Sequence, residues 1–121
     1  MSLKRILVVD DTPEVLAAIE ELVRSSGYET LTAIDGETAR QRLAAENTIG
    51  LVITDYQMPG MNGIELIGHV RRNYPDVKAL LVTGDNSPET NARALAAGAD
   101  AVFLKPVSWD DIGPKIAELL S

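Results

Sequence analysis

The sequence predicts an α/β protein folded as a three-layer α/β/α sandwich, with a five-stranded parallel sheet and a doubly wound order of five βα units. The first observation is that short, continuous aliphatic runs, such as residues 6–9, alternate with longer stretches whose apolar residues recur at helical spacing. Continuous apolar strands separated by helices are typical of a parallel sheet that is covered on both faces. The second observation is the length of 121 residues, about half that of a typical eight-unit barrel, which favours an open sheet.

Length and composition exclude several classes of protein. A chain of 121 residues fits a single domain, residues 1–121, and Met1-Ser2-Leu3 fits the strand pattern so poorly that we expect it to be a remnant of expression. The chain has no cysteine, which excludes disulfides and thiolate-bound metals. A formal net charge of −7 argues against a direct nucleic-acid partner. No apolar run approaches the ~20 residues that span a bilayer, so we expect a cytoplasmic protein without membrane contact.

The first βα unit begins with the strand at residues 6–9. The helix that follows is indicated by Pro13 near its start and by Gly27 beyond its end. Thr12 precedes that proline and is the expected N-cap. The apolar residues that recur at helical spacing in this segment are Val15, Leu16, Ile19, Leu22 and Val23.

The second and third βα units each have a predicted strand followed by a predicted helix. Residues 30–33 predict a short strand that ends in an Asp-Gly turn at residues 35–36, and residues 37–46 predict a mostly polar helix. Residues 51–54 predict the third strand. The helix after it is expected to end near residues 73–75, and its apolar residues are Ile64, Leu66, Ile67 and Val70.

The fourth and fifth units complete the sheet. Residues 79–82 predict a strand, and the Ser-Pro-Glu sequence at residues 87–89 supplies an N-cap, a proline and an acid for the next helix, which Gly98 ends. Residues 101–104 predict the last strand. A Gly-Pro pair at residues 113–114 leaves the start of the last helix open, and its apolar residues are Ile112, Ile116, Leu119 and Leu120.

Ionisable or hydroxyl side chains follow four of the five predicted strands. They are Asp10, Asp11, Asp55, Thr83 and Lys105. Because parallel strands end at the same edge of a sheet, and ligands bind beyond that edge, we expect these side chains to meet in one shallow cleft. Like-charged carboxylates at such close range require a proton or a cation between them. Oxygen-only ligands favour Mg²⁺, Mn²⁺ or Ca²⁺, and a site with few protein ligands and room for water favours Mg²⁺.

Taken one at a time, these residues have simpler explanations. Asp10 and Asp11 could be acids at a helix N-terminus, and Asp55 could be a turn residue. Lys105 could serve only to neutralise the aspartates, and Thr83 could be a β-branched residue that ends a strand. Together they provide a carboxylate nucleophile beside a divalent cation, with an ammonium and a hydroxyl for phosphoryl oxygens. That combination is typical of phosphoryl transfer.

Five short motifs follow one another along the chain, four of them at these strand ends and one just before the fifth strand. They are Val8-Val9-Asp10-Asp11, residues 55–63 (Asp-Tyr-Gln-Met-Pro-Gly-Met-Asn-Gly), Thr83-Gly84, Gly98-Ala99-Asp100 and Lys105-Pro106. On these motifs the chain resembles, over residues 4–120, a receiver domain of the two-component response-regulator family. The resemblance implies a flavodoxin-like (βα)5 fold. It also implies a signalling domain rather than an enzyme, one that assists only its own phosphorylation and dephosphorylation.

The resemblance assigns roles to the residues at the strand ends. Asp55 would accept a phosphoryl group from a phosphohistidine on a sensor histidine kinase or a histidine phosphotransfer protein. Lys105 and Thr83 would contact the phosphoryl oxygens. The implied ligands of Mg²⁺, or of Mn²⁺, are Asp10, Asp11, Asp55 and the backbone carbonyl of Gln57. The Lys105-Pro106 bond would be cis, and Gly63 would have the positive φ needed before the third helix.

The resemblance also implies a switch over the surface around residues 84–109. The expected switch and output residues are Thr83, Gly84, Val102, Phe103 and Trp109. An effector domain or a second copy of the chain would contact the fourth helix, the fifth strand and the fifth helix.

One position departs from the family pattern. The family usually has Tyr or Phe where this chain has Val102, and Phe103 should face the opposite side of the sheet. We therefore predict that signalling runs through the loop at residues 83–87 and the following helix. Gln57 and Asp85 occupy positions that influence hydrolysis in the family. Whether Asp85 repels or orients the attacking water stays open.

Three other functions compete with this interpretation. An aspartyl-phosphate phosphatase would need a second acid where Gln57 stands. A flavodoxin-like cofactor binder would need a hydroxyl- and glycine-rich phosphate loop where Asp10 and Asp11 would repel a phosphate. A receiver-like protein-interaction module that works without phosphorylation is the main alternative, and the intact set of strand-end residues argues against it.

Overall fold

Strands and helices alternate along the chain in the computed structural model, which describes residues 5–121. The strands are β1 (Arg5–Val9), β2 (Thr30–Ala33), β3 (Ile49–Asp55), β4 (Lys78–Thr83) and β5 (Ala101–Leu104). The helices are α1 (Pro13–Arg24), α2 (Gly36–Ala45), α3 (Gly63–Asn73), α4 (Pro88–Ala97) and α5 (Trp109–Leu120). The predicted order of five βα units is confirmed. The expectation that residues 1–3 come from expression lies outside the described residues.

The strands form one parallel sheet in the order β2-β1-β3-β4-β5. The chain first moves from β1 to β2 at one edge and then crosses to β3 on the other side of β1. This reversal makes the sheet doubly wound, as predicted. In sheets of this kind ligands bind at the carboxyl ends of the strands beside the reversal, which are β1 and β3 here. The paired residues at the carboxyl ends are Val9 with Thr54, Asp55 with Val82, and Thr83 with Leu104.

Helices cover both faces of the sheet, because alternate residues of each strand point to opposite sides. Under α1 and α5 lies the α1/α5 core, with the buried residues Ile6, Val8, Leu16, Ile19, Val23, Leu51, Ile53, Leu80, Val82, Ile112, Ile116 and Leu120. The other face is divided. The α2/α3 core includes Leu7, Val9, Ala39, Leu43, Val52, Leu66 and Val70. The α3/α4 core consists of Tyr56, Ile67, Ala79, Leu81, Ala94 and Ala99.

The helix starts use different caps. Thr12 occupies the predicted N-cap position of α1, but its side chain makes no capping hydrogen bond; instead its backbone N–H donates to Oδ1 of Asp10 at 2.9 Å. The predicted turn at residues 35–36 is part of a helix start, because Asp35 Oδ1 accepts from the backbone N–H of Thr38 at 2.8 Å. Ser87 caps α4 as predicted.

Helix α5 runs unbroken through Gly113 and Pro114, so its first turn begins at Trp109. The indole of Trp109 lies over Gly113, where an added Cβ would come within 2.6 Å of the ring. The proline costs one helical hydrogen bond, and burial of the helix's apolar side in the α1/α5 core offsets that cost. Across residues 5–121, every helix is too short or too polar to cross a bilayer.

Candidate functional site

The register of the sheet brings the predicted acidic residues together. Asp10 follows Val9 at the end of β1, and Asp55 is the last residue of the neighbouring strand β3. One carboxylate oxygen from each of Asp10, Asp11 and Asp55 lies within 4.8 Å of the others. Asp10 is fully buried, whereas Asp11 is exposed. The cluster therefore opens to solvent on the Asp11 side, where an ion could enter.

Lys105 faces the same cluster from the end of β5. Its Nζ lies 2.8 Å from Oδ2 of Asp10 and 3.2 Å from Oδ1 of Asp55. The Lys105-Pro106 peptide bond is cis, as expected. One ammonium against three carboxylates leaves an excess of negative charge. Hard oxygen donors with such an excess suit a divalent cation such as Mg²⁺, so the residues fit the expected metal.

The electrostatics of Asp55 follow from its surroundings. Burial raises the pKa of the Asp55 carboxyl, and repulsion from Asp10 raises it further; together they outweigh the opposing ion pair with Lys105 and the hydrogen bond from the backbone N–H of Tyr56. For Lys105, burial alone would lower the pKa, but the contacts with Asp10 and Asp55 raise it above its ordinary value. The ammonium therefore stays charged, and a cation beside Asp55 would favour the ionised carboxylate.

The backbone of Asp55 is held by two residues that carry no charge. Oγ1 of Thr54 donates a hydrogen bond to the Asp55 carbonyl at 2.8 Å, and Gly63 approaches the same carbonyl so closely that a Cβ at Gly63 would overlap it. The expectation of a positive φ at Gly63 is wrong, since the described glycines with positive φ lie elsewhere. Gly63 is required for close packing rather than for its backbone angle. The role of Thr54 was not predicted; a hydroxyl residue within an aliphatic strand was the available signal.

Thr83 lies at the end of β4, beside the strand that ends in Asp55, and is 2% exposed. Its Oγ1 accepts a hydrogen bond from the backbone N–H of Asp85 at 3.0 Å. The carboxylate of Asp85 accepts hydrogen bonds from Ser87 and Thr90 at the start of α4. These contacts lower the pKa of Asp85, with the Thr90 hydroxyl as the largest cause. One carboxylate oxygen of Asp85 is thus bound to the N-cap of α4 and the other to Thr90 within the helix.

The remaining predicted switch residues lie at different places. Val102 packs against the α3/α4 core, while Phe103 packs against the α1/α5 core, so the predicted opposite facing of the two side chains is confirmed. Trp109 is partly buried against the α1/α5 core, and Gly84 is exposed in the loop after β4. Gln57 is exposed in the loop after β3, close in sequence to the acidic cluster.

The chain is similar to known proteins in both sequence and structure. The family model of the response regulator receiver domain matches residues 6–117. The transcriptional regulatory protein PrrA of Mycobacterium tuberculosis is 34% identical over 116 residues, which cover 96% of this chain and 49% of PrrA. The chain therefore spans about half the length of PrrA-type relatives.

Solved structures are similar over nearly the whole chain. A CheY-like receiver domain protein from Methanospirillum hungatei superposes with a TM-score of 0.90 at 36% identity, covering 98% of this chain and 94% of that one. The response regulator protein TrrA from Thermotoga maritima, solved in complex with Mg(2+)-BeF, has a TM-score of 0.87 at 36% identity. That superposition covers 97% of this chain and 99% of TrrA.

Proposed function

The chain belongs to the response regulator receiver domain family, and on that premise we propose that Asp55 is its phosphoacceptor. A phosphohistidine on a sensor histidine kinase or a histidine phosphotransfer protein would supply the phosphoryl group in a cytoplasmic reaction. The observation that carries this proposal is the convergence of Asp10, Asp11 and Asp55 within 4.8 Å, with the Lys105 ammonium in contact with two of them.

The two oxygens of Asp55 have different surroundings. Oδ1 accepts from the backbone N–H of Tyr56 and lies beside Nζ of Lys105, whereas Oδ2 makes no hydrogen bond to any residue within 5–121. We assign bond formation to Oδ2. Its electron pair forms the new O–P bond, the P–N bond to the donor histidine breaks, and that electron pair returns to the imidazole ring.

The other residues of the site would position the phosphoryl group and neutralise its charge. Lys105 would follow the phosphoryl oxygens as they approach, since its ammonium already spans Asp10 and Asp55. Thr83 keeps its hydroxyl proton available for a phosphoryl oxygen, because its Oγ1 accepts from Asp85 and an oxygen can accept and donate at once. Asp10, Asp11, Asp55 and the Gln57 carbonyl would hold Mg²⁺ or Mn²⁺, which supplies positive charge for the developing phosphoryl oxygens.

Phosphorylation would add close to two negative charges at Asp55 and shift the population of the surface around residues 84–109. This surface comprises α4, β5 and the start of α5, and it would contact an effector domain or a second copy of the chain. Apart from promoting its own phosphorylation and dephosphorylation, the chain would carry out no catalysis. The competing proposal is a protein-interaction module of the same fold that is never phosphorylated.

Incubation with acetyl phosphate and Mg²⁺, followed by intact mass spectrometry, tests the proposal. We expect the wild-type chain to gain one phosphoryl group, and the gain to disappear in Asp55→Asn and after chelation of Mg²⁺. The matched control is Asp76→Asn, which removes an exposed carboxylate away from the cluster and should keep the gain. A wild-type chain that binds Mg²⁺ but gains no phosphoryl group would favour the interaction module instead.

A further inference from the structure

A chain of hydrogen bonds leads from Thr83 into the first turn of α4. The backbone N–H of Asp85 donates to Oγ1 of Thr83 at 3.0 Å. Oδ1 of Asp85 accepts from the backbone N–H of Ser87 at 2.8 Å, and Oδ2 accepts from the Thr90 hydroxyl at 2.7 Å. The backbone and side chain of Asp85 therefore connect the end of β4 with a residue inside α4.

Thr90 lies at the far end of this chain and is 4% exposed. Its hydroxyl donates to Asp85 and accepts from the hydroxyl of Ser87 at 3.0 Å. Capping of α4 requires only that Ser87 Oγ accept from the backbone N–H of Thr90, which it does at 3.2 Å. The bond between the side chains of Asp85 and Thr90 is additional to the cap, so capping alone does not account for it.

The packing of α4 leaves its position dependent on such polar contacts. The buried residues of α4 are Thr90 and Ala94, so α4 itself contributes only small side chains to the interior. Ala94 is its buried member of the α3/α4 core, beside Tyr56, Ile67, Ala79, Leu81 and Ala99. Small side chains interlock little with their neighbours, and Val102 places no ring in this layer. A modest displacement of the start of α4 therefore breaks few apolar contacts.

We propose that Asp85 and Thr90 are positioning residues that couple α4 to the hydroxyl of Thr83. The inference rests on the proposed function, because the coupling acts when Thr83 donates to a phosphoryl oxygen on Asp55. In that event Thr83 Oγ1 continues to accept from Asp85, and Asp85 continues to accept from Thr90. Neither of these hydrogen bonds has to break, so a movement of Thr83 moves the start of α4 with it.

This coupling also accounts for both carboxylate oxygens of Asp85. Oδ1 accepts from the N-cap residue Ser87 and Oδ2 accepts from Thr90 inside α4, so the carboxylate is held at the start of the helix. In the proposed coupling Asp85 acts as a mechanical link, whereas the sequence alone leaves open whether it repels or orients water. We call the hydrogen bonds from Thr83 through Asp85 to Thr90 the relay. The relay couples Thr83 to the surface around residues 84–109 without an aromatic side chain at position 102.

The test compares Thr90→Val with Thr90→Ser. Valine has nearly the shape of threonine but cannot donate to Asp85, whereas serine keeps the hydroxyl. Backbone amide NMR shifts are recorded with Mg²⁺ alone and after addition of beryllium fluoride as a phosphoryl mimic. In the wild-type chain we expect shift changes over both residues 83–87 and residues 88–94. In Thr90→Val the changes over 88–94 should be lost while those at residues 83–84 persist, and Thr90→Ser should restore them.

Two further variants separate coupling from general stability. Asp85→Ala removes the acceptor from the other side and should give the same loss over residues 88–94, which keeps the test available if Thr90→Val folds poorly. The control is Asp100→Ala, because Asp100 Oδ2 accepts from the backbone N–H of Ala79 at the opposite end of β4 at 2.9 Å. This control removes a similar bond and should leave the response of α4 unchanged.

The outcomes distinguish the relay from the proposed function. Acetyl phosphate labelling of the same samples reports on Asp55 independently, so an unlabelled wild-type chain contradicts the proposed function. A labelled Thr90→Val chain whose 88–94 response equals that of the wild type overturns the relay alone. A large response at Val102 and Phe103 with an unchanged loop at residues 83–87 would also overturn it.

Discussion

Helices α4 and α5 flank the last strand of the sheet, yet they are held to it by different forces. Helix α5 buries Ile112, Ile116 and Leu120 in the α1/α5 core. Helix α4 buries Thr90 and Ala94, a hydroxyl residue and a single methyl group. Burial of an aliphatic side chain contributes about 1.5–3 kcal/mol, so apolar burial anchors α5 several times more strongly than α4.

This difference matters because both helices begin at the edge of the sheet where the site lies. Helix α5 follows Lys105, which is paired with Asp10 and Asp55, and α4 follows Thr83. The side of the site that leads into α5 is thus anchored by a large aliphatic core. The side that leads into α4 is anchored by a small apolar contact at Ala94 and by hydrogen bonds at the start of the helix. Elements that respond to ligands are generally those with few buried apolar contacts. We therefore expect the α5 side of the site to stay fixed and the α4 side to move more readily.

Truncation of one side chain in each helix tests whether α5 contributes more than α4 to stability. We expect Ile116→Ala to lower the free energy of unfolding by about 2–5 kcal/mol, because the side chain is fully buried and its removal leaves a cavity. Leu95→Ala in α4 should change it by only about 0.5 kcal/mol, since Leu95 is 52% exposed. Urea denaturation of both variants measures the difference, and similar losses would contradict it.

The sequence predicted the anchored parts of the molecule well. Continuous aliphatic runs identified four of the five strands, and the weaker strand at residues 30–33 was recognised before its Asp-Gly pair. The parallel order of the strands placed Asp10, Asp55 and Lys105 at one edge. Both predictions depend on burial, which is encoded in the spacing of apolar residues. The contacts at the acidic cluster followed from topology without knowledge of any side-chain conformation.

The polar contacts around α4 could not be predicted in the same way. A hydroxyl such as that of Thr90 has several acceptors within reach of its backbone, and loop geometry decides which one it meets. The same limit applies to Asp35, which was expected in a turn and caps α2 instead. Gly63 shows a related limit, because its close approach to the Asp55 carbonyl depends on the packing of α3 against the sheet.

A smaller difference in stability is expected between the starts of α4 and α1. Ser87→Ala should lower the free energy of unfolding by about 1 kcal/mol, because Ser87 Oγ accepts from the backbone N–H of Thr90 and no large apolar side chain of α4 compensates. Thr12→Ala at the start of α1 should change it by only a few tenths, about 0.3 kcal/mol, since the Thr12 side chain makes no capping hydrogen bond. Thermal unfolding of both variants gives the order, and a larger loss for Thr12→Ala would contradict this account of α1.

The smallest expected effect concerns the protonation of Asp85. Hydrogen bonds from Thr90 and Ser87 hold the pKa of the Asp85 carboxyl below its ordinary value of 3.8. A carboxyl with a lower pKa in the folded state stabilises the fold above its unfolded-state pKa, and this contribution is lost as the pH falls through the folded-state pKa. Thr90→Val removes the hydrogen bond from the Thr90 hydroxyl, which is the largest cause of the lowered pKa. The pKa of Asp85 should therefore rise towards its ordinary value in a ¹³C NMR titration. The pKa of Asp35, which is lowered by Thr38 at the start of α2, provides the internal control and should not move.

An unchanged pKa at Asp85 would mean that the Thr90 hydroxyl does not hold this carboxylate in solution. The start of α4 would then be held by the Ser87 cap alone. Helices α4 and α5 would still differ in stability, but α4 would not be coupled to Thr83 through Asp85.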